Sequence, residues 1–487
     1  MSEDLLTTDQ AAQLGRLVDV HPEAHELGER FRARGHELYL VGGTVRDTLL
    51  LGGDASAAEQ VDLDFATSAH PEETERIIRD WATAVWLTGK EFGTVSCQRE
   101  QAGRPTRTIE ITTFRADTYR PGSRHPEVRY GESIEGDLAR RDLTVNAMAV
   151  QVPEFRFVDP FSGLRDLHNR VLRTPIDPHT SFGDDPLRMV RLARFCAVLG
   201  ADADPATQLA ATEMAAEIAS VSAERVRDEL VKLVTADDPR RGVELLVATG
   251  LADHVLPELR GLRDCHDPIH RHKDVYDHTL AVVENAMALE GDEPDFVLRF
   301  AALMHDVGKP DTRAIHRDGT VTFHHHDVVG ARMTRKRMRE LRFSKQAIAD
   351  VTRLVEMHLR FHTYKLGWTD AAVRRYVRDA GDLLDRLNAL TRADVTTRNP
   401  KKAARIQRRV DELERRIEEL AEAEELAAMR PPVDGNQIMA HLGLSEGPEV
   451  GRAWHHLLEL RLELGPMSEE QALAALDEWW QQQGEQG

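Results

Sequence analysis

The sequence predicts an α+β protein: a mixed N-terminal third of strands and helices, then a chain that is helical almost throughout. Three observations lead there. Short apolar runs bounded by glycine and polar turns recur up to about residue 170. From Pro186 onward the apolar positions Leu187, Val190, Leu192 and Phe195, then Val226, Leu230 and Leu233, keep a helical period. The chain has 487 residues, more than one core holds, so about three domains are expected.

In chain order, residues 1–35 read as an amphipathic lead-in helix. Leu38-Tyr39-Leu40-Val41 is a short apolar strand that runs into Gly42-Gly43 and a helix starting near Val45. Further strands are expected at Val61–Ala66, Ala84–Leu87, Gly93–Cys97, Thr108–Thr113 and Phe155–Val158, with helices such as Pro71–Trp81 between them. Residues 36–173 therefore read as one mixed unit and 174–263 as a helical neck. Asp264–Ile269 reads as a linker into a histidine-rich helical region, 264–397. In the C-terminal helical segment, 398–487, residues 400–427 form a charged helix with an apolar stripe at Ile406, Val410, Leu413 and Ile417. Arg430-Pro431-Pro432 ends it.

Apolar residues make up 41% and charged residues 30%, the balance of a soluble globular protein. No run approaches the ~18 apolar residues of a membrane span. The first residues lack the basic and apolar regions of a secretory signal. Cys97, Cys196 and Cys265 are odd in number and far apart, which excludes a disulfide framework and favours a reducing cytoplasm. The net charge of −20 argues naively against nucleic acid, but binding follows local patches and not the sum. Arg332, Arg335, Lys336, Arg337, Arg339, Arg342 and Lys345 face only Glu340 in their stretch. Arg398, Lys401, Lys402, Arg405, Arg408 and Arg409 form a second cluster. Either run taken alone reads as a solvated helix face.

The first constellation lies in the mixed unit. Strand, Gly42-Gly43, helix brings backbone N–H groups and a helix N-terminus close to phosphate. Asp62-Leu63-Asp64 follows on a predicted strand, where period-2 alternation puts both carboxylates on one face. Such a pair repels itself unless cations join it, and it can hold two Mg²⁺ ions ~3.5–4 Å apart for in-line phosphoryl chemistry. By itself a Gly-Gly pair is usually a turn, and an Asp-x-Asp usually an edge-strand charge pair. The combination of Gly42, Gly43, Arg46 and Asp47 with Asp62 and Asp64 resembles the polymerase-β-type nucleotidyltransferase superfamily.

Later motifs narrow the resemblance. Arg140-Arg141-Asp142-Leu143-Thr144-Val145-Asn146-Ala147 is similar to the RRD-x-x-x-N-A motif of class II tRNA nucleotidyltransferases, which implies contact with the ribose and phosphates of the incoming nucleotide. Asp159-Pro160-Phe161-Ser162-Gly163-Leu164-Arg165-Asp166-Leu167 resembles the family's motif at the junction of head and neck. Asp184-Asp185-Pro186-Leu187-Arg188-Met189-Val190-Arg191 resembles its Glu-Asp-x-x-Arg motif, with Asp184 in the place of Glu. The spacing puts Asp185 and Arg188 side by side on one helical face, with Arg191 the next step along. A carboxylate beside a guanidinium complements the donor–acceptor edge of both cytosine and adenine. Uracil and guanine would leave polar groups unpaired.

The resemblance implies a polymerase-β-like head, an all-α neck, and two Mg²⁺-binding catalytic residues, Asp62 and Asp64. It also implies nucleotide contacts from Gly42, Gly43, Arg46, Arg140, Arg141, Asp142, Asn146, Asp185, Arg188 and Arg191. Glu110, with the strand parity of Thr108 and Thr112, is a third acidic candidate. Thr88–Val95 is similar to the CCA-adding form of the segment after Asp-x-Asp, and Phe114–Tyr130 to the long loop of enzymes that add the terminal A.

The second constellation is His278, His305-Asp306, His326, His358 and Asp394. Imidazole and carboxylate ligands from several helices suit a divalent transition metal or Mg²⁺ better than a cysteine-rich zinc site does. Their order resembles the HD phosphohydrolase superfamily, and His324 and His325 read as neighbours of His326. Together the resemblances imply a cytoplasmic enzyme that adds C, C and A to the tRNA 3′ end from CTP and ATP, with no membrane partner. Three alternatives stay open: a poly(A) polymerase, an HD-type phosphohydrolase with an RNA-binding head, and a pure RNA-binding protein.

Overall fold

The computed structural model describes residues 6–7, 9–12, 14–15, 21–50, 63–87, 89, 93–100, 107–115, 130–131, 133–263, 265, 274–363, 368–397, 399–424 and 430–484. Asp62, most of the loop 114–130, the linker 264–269 apart from Cys265, and Arg398 fall outside these residues. The chain divides into two compact units, Met1–Val255 and Leu256–Gly487.

The first unit is built on seven strands: β1 Leu38–Val41, β2 Leu63–Thr67, β3 Ala84–Trp86, β4 Thr94–Gln98, β5 Thr108–Thr113, β6 Ala149–Val152 and β7 Arg156–Val158. They lie in the order β3-β4-β5-β2-β1-β6-β7. The β2–β5 pair is parallel and its register sets Asp64 opposite Glu110. β1 is fully buried and central, with antiparallel neighbours on both sides. Tyr39, Val41, Ala66, Phe114, Ile134, Leu138, Ala147 and Ala149 pack on one sheet face under helix Ile134–Ala139. Helix Pro22–Arg32 buries Ala24, Leu27 and Phe31 and packs against β1 and β6. Residues 22–32 of the lead-in segment are thus part of the sheet's cover.

The structure departs from the sequence reading in four places. β6 is not among the predicted strands. Ala149-Val150-Gln151-Val152 is short and almost wholly buried between β1 and β7, so it carries no alternation. The helix expected over Pro71–Trp81 ends at Ile78. Trp81 turns inward instead, and its indole N–H bonds Glu26 at 2.8 Å. Two short ribbons bring strands into the region expected to be helical, one of them pairing with a strand at the end of the mixed unit. Val171–Leu172 pairs with Asp202–Ala203, and Arg313–Ile315 with Val321–Phe323. Finally, Asp185 does not lie on the helix that carries Arg188. It precedes the helix Leu187–Leu199 in extended conformation (φ −149°, ψ 100°), and Pro186 is the N-cap.

The junction motif Asp159–Leu167 works as a packed corner. Both Asp159 carboxylate oxygens accept from the start of helix Gly163–Asn169, at Gly163 N (2.7 Å) and Leu164 N (3.0 Å). Asp166 is buried and accepts from the Thr144 hydroxyl at 2.7 Å. Gly163 lies flat on Thr144, and a Cβ there would sit 2.1 Å from its carbonyl oxygen.

In the second unit, helices Val275–Met287, Phe296–Met304, His326–Glu340, Lys345–Met357 and Leu384–Ala393 pack together. Helix Pro400–Glu424 rests on Asp370–Ala380 and Leu384–Ala393, with Val410 and Leu413 buried. Gly435–Leu442, Pro448–Leu464 and Glu469–Gly484 share a small core of Val433, Ile438, Ala453, Leu457, Ala472 and Leu476. Among the described residues no helix is long and apolar enough to cross a membrane. Gly163→Ala is expected to lower stability by at least the ~1–3 kcal/mol typical of overpacking, read as a reduced denaturant midpoint.

Candidate functional site

β1 ends at Val41 and the chain turns through Gly42 into helix Gly43–Leu50. The backbone conformation favours glycine at Gly42. Its φ is +71°, and a Cβ would meet the Arg141 guanidinium at 2.9 Å. The turn opens into a cavity of about 510 Å³. Asp64 reaches it from β2, exposed between buried Leu63 and Phe65. Glu110 is also exposed and in register with Asp64 across the parallel pair. Neighbouring carboxylates on one sheet face form a hard-oxygen donor set, which fits Mg²⁺.

Four of the arginines entering this cavity, Arg140, Arg141, Arg191 and Arg194, are held by buried carboxylates. Asp137 pairs with Arg140 at 2.7 Å and Arg141 at 3.3 Å. Arg46 donates to Asn146 Oδ1 at 2.5 Å and to both oxygens of Asp47. Asn146 in turn donates to Asp142 at 2.9 Å. The other Asp142 oxygen takes Arg191 through Nη2 at 2.5 Å and Nε at 2.9 Å. Arg191 and Arg194 share buried Glu229, at 3.4 and 2.7 Å. The Phe195 ring lies beneath three guanidiniums, Arg194 at 4.0 Å, Arg46 at 5.0 Å and Arg191 at 5.7 Å from its centroid.

Burial alone would raise the pKa of Asp142, but the Arg191 guanidinium and the Asn146 amide outweigh it and hold the carboxyl below its usual range. Asp137 is held low in the same way by Arg140 and Arg141 against its burial. Burial pulls the Arg194 guanidinium down, with Glu229 opposing and repulsion from Arg191 adding to the effect.

Asp185 and Arg188 line the same cavity without touching each other in the expected way. Asp185 is held by Arg225, from helix Ala223–Val234, at 2.7 and 3.3 Å. Arg188 donates to the Ser181 hydroxyl (2.8 Å), the Ser181 carbonyl (3.1 Å) and the Arg140 carbonyl (2.5 Å). The cavity therefore gathers Gly42, Gly43, Arg46, Asp64, Arg140, Arg141, Asp142, Asn146, Asp185, Arg188 and Arg191, while Asp62 lies outside the described residues. Sequence reasoning misses Asp137, Arg194, Phe195, Arg225 and Glu229. Arg194 is visible as the next step of the Arg188, Arg191 spacing. Arg225, forty residues from Asp185, has no local signal.

A second cluster lies in the helices of the second unit. His278, His305, Asp306, His326 and His358 are buried and Asp394 is half-buried. Three imidazoles use Nδ1 on a backbone carbonyl: His305 on Ala302 (2.7 Å), His326 on Phe323 (2.8 Å) and His358 on Val355 (2.6 Å). A carbonyl only accepts, so Nδ1 carries a proton and each Nε2 faces inward, free to offer a lone pair when the ring is neutral; burial would lower the His305 pKa, but Asp306 outweighs it and raises it. His278 uses Nδ1 on the Thr396 hydroxyl at 2.8 Å. The Nε2 atoms converge on two carboxylates. His278 lies 3.0 Å from Asp394, His305 3.2 Å from Asp306, and His326 3.3 Å from the other Asp306 oxygen.

The ligand atoms fall into two groups, His278, His305 and Asp394, then Asp306, His326 and His358, each within 4.8 Å. His305 Nε2 and Asp306 Oδ2 are buried and face each other at 3.2 Å, and the imidazole and carboxylate donor set fits divalent metal. Burial, then repulsion from His305, drives the His358 pKa to about 3, which keeps that ring neutral. His324 and His325 are exposed and stand outside the cluster. Lys309, buried with Nζ 2.8 Å from Asp306, is missed by sequence reasoning.

Because Asp137 and Asp142 are held low in the folded state, their contribution to stability is complete above their usual pKa of about 4 and is lost as pH falls below it. Asp142→Asn should lose stability at pH 7 and show a weaker loss between pH 5 and 3, followed by denaturant unfolding. The loss at pH 7 should sit near or below the low end of the ~3–5 kcal/mol of a broken buried pair, because the Arg191 side chain keeps 31% exposure.

Residues 38–173 match the family described as "Poly A polymerase head domain", 202–262 "Probable RNA and SrmB- binding site of polymerase A", and 275–429 "HD domain". The chain is 36% identical over 362 residues to the A-adding tRNA nucleotidyltransferase of Deinococcus radiodurans, covering 73% of this chain and 81% of that one. It is 40% identical over 252 residues to the CCA-adding enzyme of Streptococcus gordonii, covering 52% of this chain and 59% of that one. The fold is similar to the Bacillus stearothermophilus CCA-adding enzyme solved with CTP, at TM-score 0.69 and 23% identity, covering 96% of this chain and 99% of that one. The chain thus belongs to the poly(A) polymerase/tRNA nucleotidyltransferase family, in the form that carries an HD domain.

Proposed function

We propose that the chain is a tRNA nucleotidyltransferase that adds C, C and A to the tRNA 3′ end in the cytoplasm, drawing on CTP and ATP and releasing pyrophosphate. The observation that carries the reading is the single cavity in which Asp64, the arginines beside Gly42-Gly43, and the Asp185 and Arg188 side chains meet. The name of the streptococcal relative, a CCA-adding enzyme, supports it, and that of the Deinococcus relative, an A-adding tRNA nucleotidyltransferase, supports nucleotide addition to tRNA.

In this reading the tRNA 3′-hydroxyl attacks the α-phosphorus of the nucleotide and the α–β anhydride bond breaks. Asp64, with Asp62 before it, would hold Mg²⁺, which would supply charge neutralisation and lower the pKa of the attacking hydroxyl. Arg46, Arg140 and Arg141 bind the triphosphate and stabilise charge on the departing pyrophosphate. The Gly42 turn lets the backbone approach those phosphates, and Asn146 meets the ribose. Asp142 acts at one remove, because its oxygens are taken by Asn146, Arg191 and the Leu143 N–H.

Base choice falls to Asp185 and Arg188. Arg225 and the Leu187 N–H occupy part of the Asp185 carboxylate, which keeps a further lone pair for the amino group of cytosine or adenine. Arg188 has five N–H groups, and those not given to Ser181 and Arg140 can reach the ring nitrogen acceptor. The contact with the Arg140 carbonyl ties base choice to the phosphate arginines.

We propose also that His278, His305, Asp306, His326, His358 and Asp394 hold divalent metal and that the site hydrolyses a phosphoester. The inward-facing Nε2 atoms of three fixed imidazoles support this reading.

With tRNA transcripts ending at the discriminator base, three nucleotides should be added, requiring both CTP and ATP, and Asp64→Ala should lower the rate by at least ~10³-fold. Addition of A alone to transcripts already ending in CC would put the chain with the activity named for the Deinococcus relative. A long ladder with ATP alone would make it a poly(A) polymerase. For the second site, Asp306→Ala should strip bound metal, measured by elemental analysis, while nucleotide addition persists. Gly308→Ala should do the same, because a Cβ there would sit 2.2 Å from the His326 carbonyl oxygen.

A further inference from the structure

Helix His326–Glu340 buries His326, Gly330, Ala331, Thr334 and Met338. On its opposite side stand Arg332, Arg335, Lys336 and Arg339, all exposed. Their spacing, i, i+3, i+4, i+7, puts them on one stripe. The stripe runs about 10 Å along the axis at ~1.5 Å per residue.

This arrangement works against the helix. Arg332 with Arg335, Arg332 with Lys336, Arg335 with Arg339, and Lys336 with Arg339 are like-charge neighbours at destabilising spacings. Other helices pair exposed arginines with acids at those spacings: Arg76 with Glu73 at 2.5 Å, Arg79 with Glu75 at 2.7 Å, and Arg415 with Glu412 at 2.6 Å; Lys401, Lys402, Arg405 and Arg408, at the start of helix Pro400–Glu424, are exposed without such a partner among the described residues. Acids are abundant, 83 against 63 basic residues. Yet Glu340, the acid beside the stripe, is 2.9 Å from Arg337 and only 3.9 Å from Lys336. Arg332, Arg335 and Arg339 have no ion-pair partner among the described residues. A local rule is broken without a gain inside the fold, the mark of a surface kept for a ligand.

We propose that this stripe binds the phosphate backbone of RNA and holds the body of the tRNA substrate, an inference that rests on the function proposed above. Three of the four cations are arginine, whose planar fork matches phosphate oxygens in pairs. Val328 is the large apolar residue exposed beside them, too little for insertion into a lipid surface. The chain as a whole carries −20, so a polyanion is repelled by most of its surface and docks where the sign reverses locally.

The test is the affinity of the full-length protein for a tRNA transcript lacking CCA, measured by fluorescence anisotropy across a salt series. The R332Q/R335Q/R339Q variant should bind at least tenfold more weakly at low salt. Its slope of log affinity against log salt should be shallower by about 2–3, one increment of ~0.9 for each phosphate no longer neutralised. Its melting temperature should be unchanged or higher, because repulsion within the helix is relieved. The control R76Q/R79Q/R415Q removes the same charge and should bind as the wild type does. Unchanged affinity and slope in the stripe variant overturns the proposal, as does a wild-type chain that binds poly-glutamate through the stripe and not tRNA. Nucleotide addition measured in parallel separates the two readings. A wild-type chain that adds nothing but loses tRNA affinity in the stripe variant fails the proposed function alone. One that adds C, C and A while the variant binds normally fails the stripe alone.

Discussion

The Asp142 carboxylate is buried and faces three protein donors: the Asn146 amide, the Leu143 N–H and the Arg191 guanidinium. A buried carboxylate deprived of any of them would face a large desolvation penalty, so its position is fixed by what it must satisfy. Asn146 passes the constraint to Arg46, behind the glycine turn, and Arg191 passes it through Glu229 to Arg194. A network of this kind is weak evidence for stability, because desolvation offsets much of the attraction. Its effect is geometric. It fixes several guanidiniums around one cavity, where they would otherwise repel each other.

The same logic, with the signs exchanged, governs the histidine cluster. Imidazoles pointing Nε2 at one another have no reason to converge in a plain core. Here three backbone carbonyls hold the rings by Nδ1, and Asp306 lies among the Nε2 atoms, with Lys309 against its second oxygen. The backbone thereby orients these three rings before any ligand arrives. Gly308 makes this packing feasible, because its missing side chain lets the His305-Asp306 turn lie on the start of the His326 helix.

Charge is therefore handled in three ways in one chain. At the cavity of the first unit, arginines are stacked and buried against carboxylates. Over most of the surface they are matched with acids one helical turn away. On helix His326–Glu340, and at the start of helix Pro400–Glu424, the matching is withheld. Net charge averages over these three regimes, which is why it is a poor guide to the partner.

Much of this is legible in the sequence wherever a contact lies within one turn or one strand. Leu38–Val41 running into Gly42-Gly43 specifies a strand, a turn and a helix, and alternation puts Asp64 on the open face beside buried Leu63. The spacing of the head motifs and the order of the six histidine and aspartate positions point to the family, because those residues are tied to local backbone. What only the tertiary structure decides are the partners brought from a distance. Spacing alone makes Asp185 the helical neighbour of Arg188, but Pro186 starts the helix after it, so Asp185 turns to Arg225 instead. Strand β6 is invisible because burial on both faces erases alternation. Asp142 reads as a nucleotide ligand until its donors are seen to come from Asn146 and from a helix some fifty residues further on. Sequence spacing fixes which side chains share a face; only packing decides which faces meet, and the desolvation of a buried charge is set by the faces that meet.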